Sequence, residues 1–206
     1  MSHFRFTDMM RFRGILSTDY SGAGGVEQMF AMSLAGFKAR GVDVELNSVT
    51  VHSATDIDKH CLQVLTGSVP GPAHVFNDLR SKLPKRAREK LEELRPDIPH
   101  VKANAVPLAE AYSSMGNCIG KRLKIMFTKD AVAGCLKHGC DCPVEPDKGG
   151  KDDTWISNIS GVACTPWSSY GKRLGWGDKM SEPYHVWVGE RVARQEDFIG
   201  LENSPY

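Results

Sequence analysis

No apolar run in this chain approaches the roughly 18–20 residues that a membrane-spanning helix needs, so nothing in it reads as a transmembrane segment. The opening residues, Met1-Ser2-His3-Phe4-Arg5, lack the charged-then-apolar order of a secretory signal. The expectation is an intracellular protein with no membrane partner. An excess of charge of either sign is also missing, since 26 Lys and Arg against 25 Asp and Glu leave a formal +1. A protein that grips nucleic acid across a broad face usually shows a basic surplus. Either that part is absent, or the basic residues are clustered locally. Internal repeats and low-complexity tracts are lacking, and 20 Gly with 11 Pro are too few for a fibrous or disordered class. Six cysteines at irregular spacing argue for reduced thiols rather than a disulfide framework. Such thiols are free for metal binding or catalysis.

What is present suits one α/β domain. The 206 residues, 41% apolar and 25% charged, can bury a real core once but hardly twice. Gly14 to Tyr20 reads as a short buried strand, broken by the glycine turn Ser21-Gly22-Ala23-Gly24-Gly25. From Val26 to about Ala35, Val26, Met29, Phe30 and Leu34 share a helical face. Ser48 to Thr55 is a second strand ending in Asp56-Ile57-Asp58, and His60 to Leu65 a short helix. Ala73 to Phe76 is a third strand, closed by Asn77-Asp78. This alternation predicts a mostly parallel sheet with helices on both faces. The charged stretch Pro84 to Arg95 predicts a solvated surface helix rather than a nucleic-acid contact. It opens an insertion of about residues 84–153 that ends in a loop. Strand patterning resumes at Thr154 to Ile159 and again at Asp197 to Leu201, which leads into Glu202-Asn203.

Chemistry gathers at the strand ends. Glycine serves where backbone turns sharply and a ligand comes close, and the helix after the turn offers unpaired N–H groups. A dinucleotide site would require Gly-x-Gly-x-x-Gly. Gly22 and Gly24 fit, but Glu27 stands at the last position, which suits an adenosine-type ligand without a pyrophosphate. Asp56 could accept both ribose hydroxyls, and Asp78 an adenine amino group. Taken singly, each Asp reads as a strand-end turn or helix cap before it reads as a ligand contact. Cys164, in Ala163-Cys164-Thr165-Pro166-Trp167-Ser168 after a strand, is a candidate nucleophile. Glu202 places an acid at the same edge of the sheet.

In order and strand context these segments resemble five motifs of the cytosine-C5 DNA methyltransferase family. Tyr20-Ser21-Gly22-Ala23-Gly24-Gly25 resembles its Phe-x-Gly-x-Gly-Gly cofactor loop. Asp56-Ile57-Asp58 resembles its ribose-binding acidic motif, and Asp78 its adenine-contacting Asp. Ala163 to Ser168 resembles the Pro-Cys-Gln-x-Phe-Ser nucleophile loop, and Glu202-Asn203 the Glu-Asn-Val motif. The resemblance covers nearly the whole chain. It implies a Rossmann-like fold binding S-adenosylmethionine, Cys164 attacking C6 of cytosine, Glu202 at N3, and DNA with the target base flipped out. It implies a nuclear protein in a eukaryote and a cytoplasmic one in a bacterium.

The sequence departs from the family pattern at Ala163, Thr165 and Ser204, where the family has Pro, Gln and Val. The family's Gln-x-Arg-x-Arg motif, target-recognition domain and closing cofactor motif would follow Glu202-Asn203, and the sequence stops at Tyr206. The reading is of an incomplete catalytic half, inactive or nearly so by itself. Rival readings are a tRNA cytosine-C5 enzyme and a non-catalytic remnant binding cofactor or partner. A cysteine hydrolase pairing Cys164 with His185 explains neither the glycine turn nor Asp56. Cys135, His138, Cys140 and Cys142 are a further set of candidate metal ligands. Zinc sites usually join two separated couples of ligands. One compact cluster fits that poorly, and the sequence alone favours free thiols over zinc.

Overall fold

The computed structural model describes residues 13–42, 48–94, 131–147, 154–161, 180 and 182–202. In chain order the elements are β1 (Arg13–Asp19), α1 (Gly25–Ala39), β2 (Val49–Thr55), α2 (Lys59–Gly67) and β3 (His74–Phe76). A 3₁₀ turn, Leu79–Lys82, and α3 (Lys85–Leu94) follow. Beyond them come β4 (Val132–Cys135), β5 (Cys140–Pro143), β6 (Thr154–Gly161), α4 (Glu182–Arg194) and β7 (Phe198–Glu202).

Five strands form a parallel sheet in the order β3-β2-β1-β6-β7. From β1 the chain steps outward to β2 and β3, then returns to the other side of β1 for β6 and β7. The direction of strand addition thus reverses between β1 and β6, and doubly wound α/β folds bind ligands at the carboxyl ends of the strands at such a reversal. The fold is therefore α/β with a mostly parallel sheet, as the alternation of elements predicts, and compatible with a Rossmann-like class. No helix among the described residues is long and apolar enough to cross a membrane.

The ends of β1 and β2 are buried because they lie mid-sheet. Leu16 to Asp19 and Ser53 to Thr55 are withdrawn from solvent whatever their polarity. On one face, Ala54 and Val75 meet Leu65 of α2, whose first turn is capped by Asp58 accepting from the His60 and Cys61 N–H groups. The neighbouring Phe76, pointing the other way as strand alternation requires, packs with Ala133, Cys135, Cys142 and Val144 of the β4–β5 region. A third cluster joins Leu79 and Leu83 to Ala87 and Leu91 of α3 and to Val186 and Trp187 of α4.

Several expectations need correcting. The apolar face of the first helix is not withdrawn from solvent: Met29 is exposed, and no residue of α1 is fully buried. The charged helix α3 is not solvated all round, because Ala87 and Leu91 recur four residues apart on a buried face. The insertion carries the antiparallel β4–β5 hairpin, which packs on Phe76. Helix α4, just before β7, had no counterpart in the sequence reading.

Candidate functional site

The loop after β1 is built by left-handed backbone. Tyr20, Gly22 and Gly24 have φ of 54°, 56° and 84°, a region costly for side-chain-bearing residues and open to glycine. Ser21 stitches this loop to β2. Its N–H donates to the Thr55 carbonyl at 3.0 Å, its Oγ accepts from the Thr55 N–H at 3.1 Å, and Thr18 Oγ1 lies 2.7 Å from the same Oγ. Asp56 completes the join, because its Oδ2 accepts from the Gly22 N–H at 2.7 Å and its Oδ1 from the Asp58 N–H at 2.8 Å. Above the turn there is space, since a β-carbon on Gly22 or Gly25 would meet nothing within 4 Å. Ile57 stands 70% exposed beside it.

Glu27, which replaces the last fingerprint glycine, lies under the loop. It accepts from the Thr18 hydroxyl through Oε1, and its Oε2 is 3.6 Å from the place a Gly24 β-carbon would occupy. That Oε2 is buried without a hydrogen-bond partner. A carboxylate at this point repels phosphate and attracts a cationic group. The start of α1 has no side-chain cap, so its first N–H groups are left to a ligand or water.

Asp78 sits at the end of β3, as expected, but its carboxylate is engaged. Oδ1 accepts from the Arg80 N–H at 2.8 Å, capping the 3₁₀ turn, and Oδ2 takes Arg80 Nη2 at 2.7 Å and Nε at 3.0 Å. The capping role read for a lone Asp is the one the geometry displays. The Asp78 charge and hydrogen bonds in turn raise the Arg80 guanidinium pKa.

Glu202 ends β7 directly opposite Gly161, the last residue of β6. A β-carbon on Gly161 would lie 3.6 Å from both Glu202 Oε2 and the Tyr20 carbonyl oxygen. The acid therefore stands against the root of the glycine loop. Cys164 and Asn203 lie outside the described residues, as do Ala163, Thr165 and Ser204. His185, the base of the hydrolase alternative, is buried in α4, and burial lowers its pKa.

Beneath the loop lies an ionic network that sequence reasoning missed. Asp19, fully buried, accepts from Lys82 Nζ at 2.5 Å and from Asn158 Nδ2 at 2.9 Å, with Arg191 Nη1 at 3.7 Å. Asn158 in turn accepts from the Trp187 indole N–H at 2.9 Å. Arg191 also pairs with Glu190 at 2.9 Å and Glu196 at 3.0 Å. Burial alone would raise the Asp19 pKa. The Lys82 and Arg191 charges and the hydrogen bonds from Lys82 and Asn158 outweigh it and hold the carboxyl well below the usual range. The network locks the end of β1 to β6, α4 and the 3₁₀ turn.

The thiol-rich segment is folded into the hairpin. Cys135 Sγ and Cys142 Sγ lie 3.4 Å and 3.3 Å from His138 Nδ1. One ligand atom from each of His74, Cys135, His138 and Cys142 falls within 4.8 Å of the others. Of the four expected ligands, three are in this group. Cys140 is exposed and is not among them, and His74 of β3 joins them instead. Burial and the neighbouring Cys135 and Cys140 thiols push Cys142 up to about 11.

No protein-family model, curated protein or solved structure matches this chain.

Proposed function

We propose that this chain carries the catalytic face of an S-adenosylmethionine-dependent cytosine-C5 methyltransferase acting on DNA. The observation that carries the reading is one meeting of groups at the strand-order switch. There the glycine loop, with Asp56 bound into it, stands beside the Glu202 carboxylate at Gly161.

The residues present fit the cofactor. The space at Gly22 and Gly25, where an added β-carbon would meet nothing within 4 Å, lets a ligand approach the backbone of the turn. Asp56, although it holds two backbone N–H groups, retains lone pairs for ribose hydroxyls. Exposed Ile57 offers an apolar surface for a purine ring. The uncapped start of α1 suits a carboxylate. Asp78, saturated by Arg80, contributes by shaping the corner after β3. When bound, S-adenosylmethionine supplies an electrophilic methyl group.

The chain's own residues would do the rest. C5 of cytosine is a poor nucleophile until a thiolate adds at C6. Cys164 would form that bond as its thiolate, and Glu202, in its protonated form, would donate to N3 and so stabilise the negative charge that develops there. With the cofactor bound, the enamine would take its methyl group at C5 and release S-adenosylhomocysteine; loss of the C5 proton to a base and elimination of the Cys164 thiolate would restore the aromatic ring. None of this can happen inside a duplex, so the base must be extruded.

The test has two arms. Calorimetric titration with S-adenosylmethionine should show binding that Asp56→Ala weakens at least tenfold. In a protein that also carries a target-recognition domain, DNA containing 5-fluorocytosine should then form a covalent adduct in the presence of cofactor, lost in Cys164→Ala. Cofactor binding without an adduct would favour a non-catalytic module, and no cofactor binding at millimolar concentration would sink the proposal.

A further inference from the structure

We propose that His74, Cys135, His138 and Cys142 form a closed tetrahedral zinc site that clips the β4–β5 hairpin to β3. The first argument is stoichiometric. His138 Nδ1 has either one proton or one lone pair in the plane of its ring, so it can make one good hydrogen bond. Yet two sulfurs sit almost equally near it, at 3.4 Å and 3.3 Å. A shared central cation explains both distances. Zinc–sulfur bonds of about 2.3 Å and zinc–nitrogen bonds of about 2.0 Å, set at tetrahedral angles, put ligand atoms roughly 3.5 Å apart.

The second argument is the ligand set. Two thiols and two imidazoles at this spacing select zinc over the oxygen-loving cations. Two thiolates balance its charge, and four protein ligands leave no open position for catalysis. His74 also removes the objection raised by the sequence, because it supplies a ligand from a distant strand to a cluster that looked too compact. Cys135 and Cys142 are buried against Phe76 and Val144, and the His74 ring lies 5.2 Å from that of His138.

The third argument is the support around the ligands. Val75 belongs to the outermost strand of the sheet, and both of its outward backbone groups are taken by the hairpin. Its N–H donates to Cys135 Sγ at 3.4 Å, and its carbonyl accepts from the Leu136 N–H at 2.8 Å. Amide donation to a ligating sulfur is the kind of outer contact that orients metal ligands. The site would thus hold a three-residue strand that a short ladder alone secures weakly.

Zinc in the purified chain, measured by atomic emission, should reach about one equivalent. His74→Ala and Cys142→Ser should each lose most of it, and Cys140→Ser should keep it. Cobalt substitution should give tetrahedral bands with charge transfer from two thiolates, and His74→Cys should raise that charge transfer by about half. Less than about a tenth of an equivalent after zinc reconstitution would overturn the proposal. So would loss of metal in Cys140→Ser with retention in His74→Ala. Should His74→Ala prove insoluble, the cobalt spectrum of His74→Cys decides: an unchanged charge-transfer band would exclude His74 as a ligand.

Discussion

Lys82 and Asp19 form an ion pair of 2.5 Å with both side chains almost wholly removed from water, at 2% and 0% exposure. The pair joins the last residue of β1 to the 3₁₀ turn after β3, two segments that flank the glycine loop. Removing one partner of such a pair leaves an uncompensated charge in a poorly solvated place, which typically costs about 3–5 kcal/mol. Lys82→Met should therefore destabilise by roughly that amount, towards the lower end because Arg191 remains 3.7 Å from Asp19. Urea denaturation measures it. A loss below about 1 kcal/mol would mean that the pair is solvated.

The same carboxylate makes stability depend on acidity. Free Asp titrates near about 3.9, and in the folded chain Asp19 is held lower. Between these two values the unfolded chain binds the extra proton, so stability rises with pH there. The contribution is fully present above about pH 5 and drains away as the pH falls through 3.9 towards the depressed value. Asp19→Asn should be less stable at neutral pH and should lose less on acidification to pH 3. Denaturation midpoints that fall in parallel for both proteins would contradict this assignment.

Gly22 separates backbone cost from ligand cost. Its φ of 56° penalises any β-carbon, while the space around it is empty. Gly22→Ala should cost only about 1 kcal/mol in unfolding, yet place a methyl group in the proposed cofactor space. A tenfold or greater loss of S-adenosylmethionine affinity is expected by titration calorimetry. Equal affinity in the two proteins would move the cofactor elsewhere.

Glu202 is exposed at the end of β7, so its replacement should hardly affect folding. Glu202→Gln should change unfolding free energy by no more than about 0.5 kcal/mol and leave cofactor affinity intact. In a protein that also carries a target-recognition domain, methyl transfer measured with labelled cofactor should fall about 10²–10⁴-fold, the range lost with a general acid or base. A variant that methylates normally would leave Glu202 with no chemical part.

The elements around the strand ends were legible because their patterns are local. β-branched runs mark β2, and a carboxylate ends β2 and follows β3. The two late strands were read within a residue or two. What escaped is non-local. Helix α4 buries Glu182, Glu190 and Arg191, residues that a sequence reader assigns to a surface. Lys82 gave no sign that it would meet Asp19 across the fold. The hairpin strands are four residues each, made largely of small residues and cysteines, with no alternation long enough to register. His74 read only as a strand residue, because its neighbours at the thiol cluster come from the far side of the insertion.

Val75 has a consequence for the sheet as a whole. With its outward donor and acceptor occupied by the hairpin, the β3 margin is sealed against pairing with any other strand. Among the described residues the opposite margin is β7, where Phe198, Ile199 and Leu201 are exposed. Among the described residues, the sheet can be extended from one side only. That side carries Glu202, so the margin that can grow is also the one that bears the acid.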